Sequence, residues 1–445
     1  MQINEHAKSV IQTLRASGYE AYLVGGCVRD LLLHREPKDY DIVTSALPDQ
    51  VTALFPDHFV AGQQFGVVGV QVVGEVFEVA TYRAESEYTD RRRPDAVTWT
   101  DAKGDVERRD FTVNGLLYDP IDDRVIDYVS GVRDLEIAVI RFIGNPVQRV
   151  TEDPLRILRA VRLKSALGFQ YDKATFDALR DHATELEHVA AERIGDELTR
   201  MLANAERHQA ISDLDRLGIL RIVLPEIEAC KGTPQPREFH HEGDVYDHTL
   251  RAVGVLRADA PAFLAWATLF HDSGKPETLT YPAEHGRISS RKHSDRSAEL
   301  AVQALRRLRR PRAEIAIVDW LIRHHMQLKD IEAMRPSRRE AYVLDPRFPW
   351  LLELHRADAE GTKPKDLSLY AHNLKLYERM RAYHEQTSAV RPPLLVDGHD
   401  LQAELGLEPG QQIGALLEEI RDAQLHGAIK TREEALVFAR QRLHP

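Results

Sequence analysis

The sequence predicts an α+β protein: a small mixed-sheet head with helices, followed by an all-helical remainder. Three observations lead there. Residues 1 to about 140 alternate strand and helix patterns. From about Asp153 onward, apolar residues recur at helical spacing. The 445 residues also exceed what one ordinary hydrophobic core holds, so two to four domains are expected.

The elements follow in order. Asn4–Ala16 and Pro48–Phe55 read as helices, and Ala21–Val24, Asp39–Val43, Val67–Val73 and Val76–Tyr82 as strands. Leu155, Leu158, Ala160, Val161, Leu163 and Leu167 set the helical period of the next region. Gly232-Thr233-Pro234-Gln235-Pro236 is a linker pattern, Arg391-Pro392-Pro393 is a second break, and Gly410 marks a turn near the tail. The expected domains are a head at 1–140, a helical neck at 141–235, a second helical domain at 240–365 and a helical tail at 366–445.

Composition narrows the class. Hydrophobic residues make up 43% and charged residues 29%, the profile of a soluble globular protein. No apolar run approaches the ~20 residues that span a bilayer, so no membrane partner is expected. The N-terminus shows no basic region followed by an apolar stretch, so no secretory signal is read. Cys27 and Cys230, the only cysteines, form no CxxC pair, which argues against a disulfide framework or zinc–thiolate site and suits a reducing cytoplasm. The net charge of −11 argues mildly against a nucleic-acid partner, but local basic clusters matter more than the total. These are Arg91-Arg92-Arg93, then Arg156, Arg159, Arg162 and Lys164, then the arginines of 306–312. The last reads as a solvated helix face.

The chemistry starts at Asp39-Tyr40-Asp41. Leu23-Val24-Gly25-Gly26 reads as a strand entering a glycine turn, with a short helix at Val28–Leu33 behind it. Side chains two apart on a strand share a face, so Asp39 and Asp41 would project together, about 6–7 Å apart. Paired carboxylates hold Mg²⁺ through oxygen, and a glycine turn before a helix offers N–H groups to phosphate. Together they describe a nucleotidyl-transfer site, in which two metal ions serve the attacking hydroxyl and the leaving pyrophosphate. Glu78 lies within an apolar strand, either as a third metal-binding carboxylate or as an edge-strand residue facing water. Arg109 can neutralise phosphate, and Asp110 or Asn114 can take ribose hydroxyls. In Glu152-Asp153-Pro154-Leu155-Arg156, Asp153 offers acceptors and Arg156 donors. Side by side they could pair with the edge of a base; the plainer reading is a surface ion pair worth a few tenths of a kcal/mol. Arg156, Arg159 and Arg162 lie along one helix stripe.

Farther on, His271-Asp272 follows an apolar helical stretch at Phe263–Phe270. Histidine and aspartate are good ligands for divalent metals, and His248, His293, His325 and Asp358 lie on successive helical segments. His240, His241 and His324 are competing candidates. His248 is preferred because it begins the helical run Thr249–Leu256, and His325 because of its offset from Trp320-Leu321.

These strings resemble a known family. Leu23 to Asp30, Asp39-Tyr40-Asp41, Arg108 to Asn114, Asp127 to Leu135 and Glu152 to Arg156 occur in the order seen in class II tRNA nucleotidyltransferases, which include CCA-adding, CC-adding and A-adding enzymes and bacterial poly(A) polymerases. The resemblance spans roughly residues 15 to 225 and implies a polymerase-beta-like nucleotidyltransferase head. It implies that Gly25, Gly26 and Arg29 meet the triphosphate, that Asp39, Asp41 and Glu78 are catalytic and hold Mg²⁺, and that Arg109, Asp110 and Asn114 hold the nucleotide. Asp153 and Arg156 would select the base, supported by Arg159 and Arg162. Asp127 to Leu135 would be a hinge between head and neck. Gly115 stands where alanine is more usual. Glu85 to Asp95 matches a mobile loop of the family. The implied partners are a tRNA 3′ end with CTP and ATP, and the implied activity is untemplated CCA addition. A-only addition, CC-only addition and poly(A) synthesis share every motif.

The second half resembles the HD phosphohydrolase superfamily. The resemblance assigns His248, His271, Asp272 and Asp358 as principal ligands and His293 and His325 as two more, for a divalent transition metal or Mg²⁺. It implies phosphatase or 2′,3′-cyclic phosphodiesterase activity on RNA ends, with Lys275 steadying a phosphate. The tail, from Pro392 to Leu401 and from Arg421 to Gly427, is similar to that of HD-containing members of the group and offers no chemistry of its own.

Overall fold

The computed structural model describes residues 3–59, 66–85, 97–236, 240–280, 288–387, 394–425 and 427–443. The loop expected at Glu85–Asp95, with its three arginines, lies outside the described residues beyond Glu85, as do Pro392 and Pro393. The chain divides into two units: residues 1–228 with 307–310, and residues 229–306 with 311–445.

In the first unit the strands are β1 (Ala21–Val24), β2 (Asp41–Thr44), β3 (His58–Phe59), β4 (Val67–Val72), β5 (Glu75–Thr81), β6 (Arg83–Glu85), β7 (Val97–Trp99), β8 (Leu116–Asp119), β9 (Arg124–Asp127), β10 (Val139–Ile140) and β11 (Gln170–Tyr171). Seven of them form one mixed sheet in the order β3-β4-β5-β2-β1-β8-β9. The helix Glu5–Ala16 buries Ala7, Val10, Ile11 and Leu14, the spacing of a single apolar face. Asn4 caps it, its side-chain oxygen accepting the N–H groups of His6 and Ala7 at 2.8 and 3.1 Å.

Two expectations are corrected here. Asp39 is not on a strand. β1 and β2 pair antiparallel only as far as Val24↔Asp41, where β1 turns away at Gly25, and the parallel pairing of β2 with β5 starts at Ile42↔Val79, so the strand begins at Asp41. Nor does Glu78 sit on an edge. Its strand, β5, lies between β4 and β2, and the side chain is exposed on an open face of the sheet. β2 and β5 run parallel with Ile42 opposite Val79, so one step earlier Asp41 lies beside Glu78.

The neck helices are Pro146–Glu152, Arg156–Leu167, Lys173–Asp181, Ala191–Leu202 and Arg207–Arg216. Arg156–Leu167 is buried along most of its length, and even Lys164 is inside, paired with Asp213 at 2.8 Å.

The second unit is helical. Ala262–Phe270 buries seven consecutive residues from Leu264, as a helix apolar all round must. Val245–Gly254, His293–Arg307, Arg312–His324 and Phe348–Gly361 carry the remaining ligand candidates or flank them. His248 does not begin its helix: the Asp244 side chain accepts the Asp247 N–H at 2.9 Å and starts the helix at Val245, one turn earlier. The tail helices Gly398–Leu405, Gln411–Leu425 and Arg432–Leu443 share an apolar cluster that includes Leu401, Ile413, Ile420 and Ala435. Among the described residues, no helix is long and apolar enough to cross a membrane.

Candidate functional site

The first site forms where β1 ends. Gly25 has φ of 78°, a left-handed conformation that glycine adopts without strain, and it turns the chain into the helix Gly26–Leu32. A Cβ built on Gly25 would lie 3.5 Å from Arg109 Nη1 and 4.0 Å from Asp41 Oδ2, so the turn, the arginine and the carboxylate face one space. Burial, and then the charges of Asp39 and Glu78, push the Asp41 carboxyl up to about 6, with Arg109 opposing them. Three carboxylates thus crowd together with too little positive charge. Oxygen donors so arranged suit a divalent cation of the Mg²⁺ kind.

The surrounding cations are held in place. Arg29 Nη1 donates to Asn114 Oδ1 at 2.7 Å, and its Nε donates to Asp30 Oδ1 at 2.9 Å. Arg109 is gripped by Asp105, whose fully buried carboxylate accepts from its Nη2 at 2.9 Å and from Arg108 Nη2 at 2.7 Å. Asp110 is buried and accepts two bonds from Arg159, at 2.8 and 2.6 Å, which join head to neck. Burial alone would raise its carboxyl, yet the guanidinium beside it draws it down to about 2.

Along the neck stripe every charge has a partner. Arg162 Nε meets Glu197 Oε2 at 2.6 Å. Asp153 Oδ2 meets Arg193 Nη2 at 2.9 Å, while Arg156 Nη1 meets Glu152 Oε2 at 2.7 Å. The base-selecting candidates, three residues apart, are therefore steadied by different partners. Asp105, Glu152, Arg193 and Glu197 were not singled out from the sequence. Glu152 and Asp105 carry a local signal, lying three or four residues before the arginines they hold. Arg193 and Glu197 are 35 to 40 residues from their partners and carry none.

The second unit gathers all six expected metal-ligand candidates. His248, His271 and Asp358 form one triad, and Asp272, His293 and His325 another. His248 Nε2 lies 3.3 Å from His271 Nε2 and 3.0 Å from Asp358 Oδ1. His293 Nε2 lies 3.3 Å from His325 Nε2, with Asp272 Oδ1 at 3.2 Å. The other ring nitrogens are committed. Nδ1 of His271, His293 and His325 donates to the carbonyls of Thr268, Ser290 and Ile322 at 2.7, 2.8 and 2.7 Å. A carbonyl only accepts, so Nδ1 carries the proton and Nε2 is the free donor atom. Facing lone pairs beside the buried Asp272 and the half-buried Asp358 favour positive charge between them. Burial opposes a proton there, yet Asp272 and Asp358 draw the His271 ring up to about 10, the protonic substitute for a cation. The donor set fits a divalent metal.

His324 stands apart, stacked on Trp320 at 4.4 Å with its Nδ1 on the Trp320 carbonyl. Lys275 Nζ is bound to Asp272 Oδ2 at 2.6 Å and to Gln235 Oε1 at 2.8 Å, so it steadies a ligand carboxylate. A cavity of about 590 Å³ opens on this cluster, lined by Lys275, Arg291, Lys292 and Lys329 among others, which favours an anionic occupant.

The fold and the two sites define an α+β nucleotidyltransferase head on a helical neck, followed by a helical domain with a histidine–aspartate metal cluster. Both kinds of centre belong to metal-dependent families. Comparison with known proteins agrees. The "Poly A polymerase head domain" family matches residues 21–141, and "HD domain" matches 245–380. The families described as "Probable RNA and SrmB- binding site of polymerase A" and "tRNA nucleotidyltransferase domain 2 putative" match 168–231 and 368–439. An A-adding tRNA nucleotidyltransferase of Deinococcus radiodurans is 34% identical over 435 residues, covering 95% of each chain. A CCA-adding enzyme of Anoxybacillus flavithermus is 32% identical over 431 residues, 97% of this chain and 95% of that one. The match to a CCA-adding enzyme of a Geobacillus species is 44% identical but spans only 50% of this chain and 54% of the relative. Among solved structures, the Bacillus stearothermophilus CCA-adding enzyme in complex with CTP superimposes with a TM-score of 0.74 at 25% identity, over 99% of this chain and 98% of that one. The chain belongs to the tRNA nucleotidyltransferase and poly(A) polymerase family, in its HD-domain-containing form, and is a nucleotidyltransferase.

Proposed function

We propose that the protein completes the 3′ end of tRNA, adding CCA from CTP and ATP without a nucleic-acid template. The observation that carries this reading is the placement of Asp41 beside Glu78 on neighbouring strands, facing the Gly25 turn and Arg109, with Asp39 two residues before it. The tRNA 3′-hydroxyl attacks the α-phosphate in line and pyrophosphate leaves. Gly25, Gly26 and Arg29 receive the triphosphate, Arg109 offsets its charge, and Asn114 holds Arg29 at the working distance. Mg²⁺ on Asp39, Asp41 and Glu78 would activate the hydroxyl and shield the phosphates. Asp153 and Arg156 read the base edge, while Arg159 ties their helix to the head through Asp110 and Arg162 ties it to the neighbouring neck helix through Glu197. The second unit is a phosphohydrolase whose six ligands hold Mg²⁺ or a divalent transition metal, acting on phosphates at RNA ends. Two buried free cysteines suit a reducing compartment such as the cytoplasm.

A second reading, addition of the terminal A alone, is favoured by the near full-length match to the A-adding enzyme. The two separate on three tRNAs ending at the discriminator base, at C and at CC, each given CTP or ATP singly. CCA addition extends the first two with C and the third with one A. Extension of the third alone establishes A addition, and growth beyond one A establishes poly(A) synthesis.

A further inference from the structure

We propose that Glu242 is a positioning residue of the metal cluster in the second unit, fixing His248 and tying it to the helix that carries Asp358. The inference rests on the metal-binding reading of that cluster. The Glu242 side chain is fully buried. Its Oε1 accepts from His248 Nδ1 at 3.1 Å and from His240 Nδ1 at 2.6 Å, and its Oε2 accepts the Lys363 N–H at 2.8 Å. A buried carboxylate is costly unless such donors surround it, so an arrangement of three is a built feature of the fold.

His248 differs from the other three histidines of the cluster. Their Nδ1 atoms rest on neutral carbonyls, and its Nδ1 rests on an anion. A carboxylate behind a ligating imidazole fixes the tautomer and makes the far nitrogen a stronger donor. That far nitrogen, Nε2, is the one 3.0 Å from Asp358 and 3.3 Å from His271. The same glutamate also sets the frame. The neighbouring His241 N–H donates to the Lys363 carbonyl at 2.8 Å, so two bonds join the 240–242 segment to the chain just past Phe348–Gly361, the helix of Asp358. His240, Glu242 and His248 could by spacing hold a cation of their own. The 2.6 Å contact between His240 and Glu242 is a hydrogen bond, and a cation would have to displace it.

The test is a titration of the full chain with Co²⁺, followed by visible absorption, in which nitrogen-ligated Co²⁺ is told from Co²⁺ on the oxygen-only head carboxylates by its bands. Glu242→Gln should bind Co²⁺ about 10–100-fold more weakly, with shifted absorption bands and an unchanged number of ions. His240→Ala, which leaves Glu242 on His248, should bind near the wild-type affinity. Glu242→Asp, which keeps the charge but shortens the reach, should fall between, and the melting temperature in EDTA identifies any variant that has lost its fold. Equal affinity and spectrum in wild type and Glu242→Gln overturn this inference alone. Loss of one ion with the rest bound normally makes Glu242 a ligand and overturns the positioning role. No nitrogen-ligated Co²⁺ in the wild type overturns the metal reading and this inference together.

Discussion

Asp41 is held with a charge that its surroundings do not balance. Burial and the neighbouring Asp39 and Glu78 raise its carboxyl to about 6, so keeping it ionised at pH 7.5 opposes folding when no cation is bound. Asp41→Asn should therefore stabilise the metal-free protein by about 1–3 kcal/mol after solvent screening, measured as urea unfolding in EDTA. Stability equal to or below wild type would show that the carboxylates do not repel. Asp110 is the opposite case. Its carboxyl is lowered to about 2, below the usual 3.8, so its contribution is fully present above pH 4 and lost as pH falls through 2. The advantage of wild type over Asp110→Asn should shrink by about 2 kcal/mol between pH 5 and pH 2. A constant difference would mean that Asp110 and Arg159 are not coupled.

The base-selecting candidates are each held by a partner, Arg193 on Asp153 at the end of Pro146–Glu152 and Glu152 on Arg156 at the start of the Arg156–Leu167 helix. Arg193→Ala should free Asp153 and reduce discrimination against UTP and GTP by about tenfold. Competitive incorporation on tRNA ending in CC measures it, and unchanged selectivity would leave Arg193 a purely structural residue. This helix also shows what the sequence disclosed. Its apolar period and its arginine stripe are local properties, legible at once, as were the glycine turn, the Asp41 and Glu78 strands and the six histidine and aspartate positions. Asp39 was misplaced because the end of a ladder depends on the partner strand turning away at Gly25. Glu78 could not be resolved between edge and interior because strand order is not written in any one strand. Arg193, Glu197 and Glu242 stayed hidden because each acts through a contact that exists only after helices and loops pack. Asp105 lay within reach of a local rule, yet an acid one turn before two arginines is too common to single out.

At the scale of the whole molecule, two chemistries occupy two units of one chain. The head gathers oxygen donors on a mixed sheet, and the second unit gathers imidazole nitrogens and carboxylates among helices. Hard oxygen donors suit Mg²⁺, and the mixed set also suits transition metals, so the two centres need not compete for one ion. If the head carboxylates perform nucleotidyl transfer, removing the charge of one of them must all but stop it. The most direct measurement is single-turnover addition of A to tRNA ending in CC by Asp41→Asn, the variant expected to fold more stably without metal. A loss of about 10²–10³-fold is predicted, the scale of removing one electrostatic element from a charged transition state. Incorporation within about tenfold of wild type would contradict the account, because one removed charge would then have cost less than about 1.4 kcal/mol.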